Sequence, residues 1–209
     1  MARACLVTWT VEMDLWSGGC THIAGIDEAG RGALAGPVVA AAVILPRGLT
    51  IQNVDDSKRL TRAEREVLFQ EIIRVATGVG VGYADASVID RVNIRQGTLL
   101  AMRAAIQSLP CEPDLLLIDG CDRVPASQPQ RTFVRGDQTV GSIAAASIVA
   151  KVSRDCFMEA LDGRFLGYGF AQHKGYGTAA HRRAIQRLGP TAIHRATFRG
   201  VAHTAGRYD

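Results

Sequence analysis

No stretch of this sequence stays apolar for the roughly 20 residues that a membrane span requires, and the longest runs, such as Val38 to Leu45, stop far short of it. The start shows no basic segment followed by an apolar core and a cleavage site, so the expectation is an unprocessed, cytoplasmic protein with no membrane partner. Cysteine is sparse. Cys5, Cys20, Cys111, Cys121 and Cys156 form an odd set with no C-x-x-C pair and no histidine at zinc-site spacing, which argues against a disulfide framework or structural zinc and fits a reducing compartment. The histidines, His22, His173, His181, His194 and His203, show neither metal-ligand spacing nor a Ser/His/Asp arrangement, and none is given a catalytic role. Repeats, low-complexity segments and linkers are absent as well. What remains is 209 residues, 47% of them hydrophobic, the length of one α/β domain with a core of its own. The net charge of +4 permits a polyanionic partner without specifying one, and a monomer is the default.

Trp9 to Trp16 alternates apolar and polar residues and reads as a half-buried strand. Strands are also expected at His22 to Asp27, Pro37 to Leu45, Gly78 to Ala84, Leu115 to Ile118 and Thr132 to Val134. Thr61-x-x-Glu64 is a capping box that opens a helix to about Ala76, with Leu68, Ile72 and Val75 on one face. Ser87-x-x-Asp90 resembles another cap, before a stripe of Leu99, Met102, Ile106 and Leu109. Ser142 is placed as the cap of a long helix whose buried face is Ala145, Ile148, Val149, Val152 and Cys156, ended by Gly163. A last helix, capped by Thr178, runs to Gly189-Pro190. Strands alternating with helices predict an α/β fold with a mixed sheet and helices on both faces. Residues 1–20 read as an extension without an assigned role, and 21–209 as a single domain with a small C-terminal helical region from about 163.

The chemistry gathers at strand ends. Asp27 and Glu28 close an apolar strand directly against a glycine-rich turn, Asp119 closes another, and Asp137 follows a third. Ligands of open α/β sheets bind at such carboxyl ends. Two like charges 4 Å apart repel by about 4 kcal/mol at an effective dielectric of 20, so clustered carboxylates raise one another's pKa or recruit hard divalent cations, Mg²⁺ or Mn²⁺. Such a cluster suits phosphoryl chemistry. Gly30-Arg31-Gly32-Ala33-Leu34-Ala35 also fits a dinucleotide-binding fingerprint, but that turn should lead into a helix, whereas Pro37 and a β-branched run announce a strand. Lys151 and Arg154 are placed together on the polar side of the long helix, where they and Lys58 can reach phosphates or brace the acids; Arg154 and Asp155 could equally be a structural pair. Glycines at 30 and 32 leave the backbone bare for close approach to a sugar edge. Tyr176, between two glycines beside Lys174, reads as an exposed aromatic on a flexible turn, and His181, Arg182 and Arg183 as a basic helix face.

Gly25-Ile26-Asp27-Glu28-Ala29-Gly30-Arg31-Gly32, with Gly36-Pro37 after it, resembles the opening signature of ribonuclease HII. Asp56-Ser57-Lys58, Ile118-Asp119-Gly120, Gly136-Asp137, the segment from Ser142 to Asp155, His173-Lys174-Gly175-Tyr176-Gly177-Thr178 and His194-Arg195-x-x-Phe198 follow in that family's order. The resemblance covers about residues 22 to 200. It implies an RNase H-like fold and a metal-dependent endonuclease acting on the RNA strand of RNA–DNA hybrids and on single ribonucleotides in duplex DNA. The cut would fall 5′ of the ribonucleotide, leaving 3′-hydroxyl and 5′-phosphate ends. It implies Asp27, Glu28, Asp119 and Asp137 as the four-carboxylate metal site, with Asp155 as the competitor for the fourth position. It implies Gly30, Arg31 and Gly32 as the turn that meets the 2′-hydroxyl, Tyr176 as the sensor of the RNA-to-DNA junction, and substrate or active-site contact for Lys58 and Lys151. A hybrid-binding module without turnover is the alternative, and the presence of all four acids argues against it. The tail after Phe198 shows no apolar-aromatic clamp-binding motif, which leaves a sliding-clamp partner open.

Overall fold

The computed structural model describes residues 7–201; the readings of Cys5, of His203 and of segment 202–209 lie outside them. The apolar runs form β1 (Ile23–Ala29), β2 (Val38–Ile44), β3 (Gly78–Ala84), β4 (Leu115–Asp119) and β5 (Gln130–Phe133), joined in one sheet of order β3-β2-β1-β4-β5. β1 pairs antiparallel with β2, and β2 with β3, while β4 runs parallel to β1 and β5 parallel to β4. The sheet is mixed, as the alternation of elements predicts.

Every residue of β2 is buried, because helices cover both faces. Val38, Ala40, Ala42 and Ile44 pack with Leu99, Met102 and Ala105 of α3 (Ala86–Gln107). The intervening Ala41 and Val43 face the other way, against Leu68 and Ile72 of α2 (Arg62–Val75) and Ala145 and Ile148 of α4 (Gly141–Asp162). α4 lies directly on the central strand: a Cβ on Gly25 would stand 2.1 Å from the Ser142 carbonyl, so any other residue there would push the helix off the sheet. α5 (Phe170–His173) and α6 (Ala179–Leu188) make the small C-terminal helical part, where Tyr168, Phe170 and Ala184 close over Met158 and Leu161 of α4. The Thr61 capping box and the Thr178 cap are both formed.

Four local expectations are corrected. Trp9 to Trp16 is not a strand: Thr10–Ser17 is helix α1, whose buried residues are Glu12 and Trp16, one turn apart, while Met13 is exposed. The alternation was coincidental, because the stripe that packs on Ile23, Leu117 and Ile143 has a helical period. α3 is capped by Asp85, which accepts from the Val88 N–H at 2.8 Å, and not by Ser87, whose hydroxyl donates to the same carboxylate. Asp90 instead accepts from the Ala196 and Thr197 N–H groups, tying α3 to the C-terminal segment. The buried face of α4 continues past Ala150 through Arg154, Met158 and Leu161, and Cys156 is exposed, because the helix leaves the sheet there and is covered by the C-terminal helices.

Ser142 is not the cap of α4. Val140 occupies that position, and the Ser142 N–H donates to the carboxylate of Glu12, 2.7 Å away and wholly buried. The residues read as an unassigned extension thus supply the missing cap and a negative charge at the positive end of the helix. Burial pushes the Glu12 carboxyl above its ordinary value, against the hydrogen bonds from Ser142. Glu12→Ala is expected to cost about 1–2 kcal/mol, read as a fall of roughly 2–8 °C in Tm. Glu12→Gln, which keeps an acceptor, should recover most of that loss in the same melt.

Candidate active site

The carboxyl ends of β1 and β4 lie side by side in the centre of the sheet, Ile26 opposite Ile118, so the next residues bring Asp27 and Asp119 together. Oxygens of Asp27, Glu28 and Asp119 all lie within 4.8 Å of one another, with Asp27 buried and the other two partly so. Burial, then the charges of Glu28 and Asp119, push the Asp27 carboxyl well above its ordinary value, while the Glu28 N–H and Ser147 hydroxyl pull the other way. Burial also raises Glu28; Arg31, whose guanidinium stands 3.3 Å from it, opposes the rise, and Asp119 adds to it. Negative charge here exceeds what the surrounding groups neutralise. The donor set is oxygen only, without histidine or cysteine, which is the chemistry that hard divalent cations select.

Asp137 sits in a 3₁₀ turn, Gly136–Gln138, whose first N–H donates to Asp119 at 2.6 Å, so the end of β4 positions the turn. It is buried but outside the trio of carboxylates, and its oxygen accepts from Lys58 Nζ at 3.2 Å. Burial raises its pKa, and Lys58 opposes this. Burial works against the charge of Lys58, but Asp137 and Asp56 outweigh it and hold the ammonium up at about 12. Asp56, buried as well, accepts from the Lys58 N–H and from Gln138 Nε2, so the 56–58 loop is fastened to the 3₁₀ turn.

A groove of about 480 Å³ is lined by Asp27, Glu28, Gly30, Arg31, Gly32, Lys58, Asp119, Lys151 and Tyr176, together with Ser57 and Arg65. Nine of the ten residues singled out in the sequence thus line one space, and the tenth, Asp137, is joined to it through Lys58. Arg65 escaped notice; it donates to the Ser57 and Leu60 carbonyls and stiffens the loop that presents Lys58. Asp155 forms its ion pair with Lys151, 2.6 Å away, and not with Arg154, whose charge it favours without a direct contact, and it is outside the trio of carboxylates.

Three readings around Tyr176 change. Arg154 is not on a polar face but fully buried, with its guanidinium 5.1 Å from the Tyr176 ring centre. Its spacing from Ser147, Ala150 and Met158, which share the buried side of α4, is the signal that would have shown this. Lys174 is buried too, its ammonium on Glu159 and the Ala171 carbonyl, and the turn is pinned: the Leu34 N–H donates to the Gly175 carbonyl at 2.8 Å. His181 belongs to no basic face. It is buried, stacked on His173 at 4.3 Å, with Nε2 3.1 Å from Nε2 of His194. The Thr191 N–H donates to His194 Nδ1, so His194 Nε2 carries the proton that His181 Nε2 accepts, and His181 Nδ1 donates to the Tyr176 carbonyl. This relay holds the tyrosine turn by its backbone.

Burial pulls both imidazoles down to about 4 from 6.5. Between those values the unfolded chain binds protons that the folded chain refuses, so the stabilisation is complete above pH 6.5 and is lost as pH falls toward 4. His194→Gln removes one of these groups, and the difference in urea midpoint between wild type and variant should be wider at pH 7 than at pH 5. A constant difference would mean that the native protein takes up protons on the pair as readily as the unfolded chain does.

The ribonuclease HII family model matches residues 24–201. The ribonuclease HII of Geobacter metallireducens is 56% identical over 193 residues, 92% of this chain and 91% of that protein. Among solved structures, the ribonuclease H2 of Pyrococcus horikoshii superposes with a TM-score of 0.73 at 25% identity, covering 87% of this chain and 95% of that one. Bst-RNase HIII, crystallised in complex with Mn²⁺, superposes with a TM-score of 0.66 at 21% identity over 90% of this chain and 71% of its own.

Proposed function

This chain belongs to the ribonuclease HII family, a type 2 ribonuclease H acting on RNA–DNA hybrids, and from that premise we propose that it also incises duplex DNA on the 5′ side of single embedded ribonucleotides, leaving 3′-hydroxyl and 5′-phosphate ends. One observation supports the reading most: three clustered carboxylates share a groove with the Gly30-Arg31-Gly32 turn, two lysines and Tyr176. Carboxylates alone would repel a phosphodiester. Asp27, Glu28 and Asp119, with Asp137 beside them, would hold divalent cations, Mg²⁺ or Mn²⁺. Such ions, when bound, neutralise charge on the reacting phosphate and lower the pKa of water.

The remaining roles fall to groups of this chain. Lys58, charged at any physiological pH and three-quarters exposed, meets the backbone phosphate while bracing Asp137. Lys151 is held by Asp155 at the groove wall, 5.7 Å from the Tyr176 ring centre, where it adds a second positive charge. The backbone of Gly30 to Gly32 lies open to a sugar edge, and a 2′-hydroxyl, donor and acceptor at once, is the group that distinguishes ribonucleotide from deoxyribonucleotide there. Arg31 engages Glu28 through its side chain, so its contribution to recognition is its backbone.

The test is cleavage of a labelled duplex with one ribonucleotide, beside an RNA–DNA hybrid, in Mg²⁺, Mn²⁺ or EDTA. Metal-dependent cutting immediately 5′ of the ribonucleotide is expected. Cutting of the hybrid alone would discard the junction reading, and binding without cutting in either metal would leave a non-catalytic module.

A further inference from the structure

Arg154 and Arg195 are the two largest fully buried side chains of the described residues, and neither forms a direct ion pair among them; Asp155 favours the charge of Arg154, and Asp90 that of Arg195, without one. Their partners are carbonyl oxygens of a single turn. Arg195 donates to Gly30 and Arg31, each at 2.8 Å, and twice to Gly36, at 2.9 and 3.1 Å. Arg154 donates to Pro37 at 2.9 Å and to Ala35 at 3.2 Å. Two like charges buried without a directly paired counter-ion are a costly way to fill a core, and apolar residues of the same volume would do so at less expense. Burial, followed by the charge of Arg154, brings Arg195 down to about 10.

The arrangement has a directional consequence. The peptide bonds are trans and planar, so a carbonyl drawn inward turns the N–H of the next residue outward. Holding the Gly30 and Arg31 carbonyls against Arg195 therefore aims the N–H groups of Arg31 and Gly32 away from it, toward the groove those residues line. Among the described residues neither N–H meets a protein acceptor. The turn is cut to fit: Gly30 has φ +94°, and a Cβ there would stand 1.9 Å from Arg154 Nε. The same Arg154 lies beneath the Tyr176 ring on the other wall of the groove.

We propose that Arg195 and Arg154 are positioning residues for ribose recognition, a buried mould that turns the Gly30-to-Pro37 carbonyls inward so that the Arg31 and Gly32 N–H groups face the substrate as donors. This rests on the ribonucleotide-incising function above and adds the origin of its discrimination. The substrate never touches either arginine.

The test is the affinity, in EDTA, for a duplex carrying one ribonucleotide relative to the same duplex in all-DNA form. A smaller folded fraction lowers both affinities alike and leaves their ratio unmoved. Arg195→Lys keeps the charge, but a single ammonium cannot span three carbonyls. The ratio is expected to fall about tenfold, the loss of one to two well-aimed hydrogen bonds. Gly32→Pro removes one outward N–H with both arginines intact and should lower the ratio in the same direction, which covers the case of an Arg195→Lys that does not fold. A wild-type ratio preserved in both variants, or a wild-type ratio of one, overturns the mould. Wild-type protein that cuts no ribonucleotide-containing duplex in either metal refutes the functional reading itself, a separate outcome read from the cleavage assay.

Discussion

Asp27→Asn should abolish cleavage, with kcat down by roughly 10³-fold or more, about 4 kcal/mol of transition-state stabilisation, while duplex affinity stays within about an order of magnitude because Lys58 and Lys151 remain. The same substitution should raise the melting temperature of the metal-free protein. Asp27 is buried between Glu28 and Asp119, and its carboxyl lies well above the ordinary range. The metal-free folded state therefore binds its proton more tightly than the unfolded chain, and the stability gained at low pH is lost as pH rises through the folded-state value. An amide has no such charge to desolvate. Divalent cations should stabilise wild type and do much less for the variant, so opposite changes in stability and activity would identify a site built for a cation rather than a packing position. Near-wild-type turnover in Asp27→Asn would remove this residue from the metal site. Asp119→Asn is expected to match it in activity.

The sheet was readable because its strands obey local rules. Pro37 to Leu45 is too apolar and β-branched to be anything but a strand buried on both faces, and all of Val38–Ile44 is buried. The strand expected at Gly78 to Ala84 coincides with β3 to the residue. Trp9 to Trp16 is ambiguous because eight residues support period 2 and period 3.6 almost equally, and what decides between them is a surface supplied by Ile23 together with Leu117 and Ile143, the last two far along the chain. The cap of α4 was unreadable for the same reason: Ser142 is the right residue type in the right place, yet its N–H is satisfied by Glu12, 130 positions away. Local chemistry names the residue that wants a partner and is silent about a partner delivered by tertiary packing.

The site divides along the same line. Strand-end acids and the open turn carry their own signals, and they do converge. Arg195 and the histidine relay do not, and the one signal for Arg154, its spacing on the buried side of α4, is outweighed because an arginine is on average exposed. Their burial depends on the C-terminal helices folding over the Gly30-to-Pro37 turn. His181 and His194 carry no metal-ligand spacing, and what they do is set by a 3.1 Å contact between residues 13 apart. The residues expected to meet substrate were legible, and the ones that aim them were hidden.

Tyr176→Ala should cut kcat/KM on a single-ribonucleotide duplex by about 10- to 100-fold, in line with the roughly 1–3 kcal/mol that a base or sugar gains from an aromatic platform. The loss on a long RNA–DNA hybrid should be several-fold smaller. The ring is half-buried and fixed from three sides: Arg154 beneath it, Lys151 beside it, and its own carbonyl held by His181. On the proposed reading, a platform so fixed would not follow the substrate and would act as a gauge of the nucleotide lying against it. A single ribonucleotide offers one register in which that gauge and the Gly30-to-Gly32 turn are satisfied together, whereas a long hybrid offers many and loses less when one contact goes. Tyr176→Phe keeps the platform and should keep most of the preference. Equal losses on the two substrates would mean that the ring supports the groove wall over Arg154 and does not read the junction.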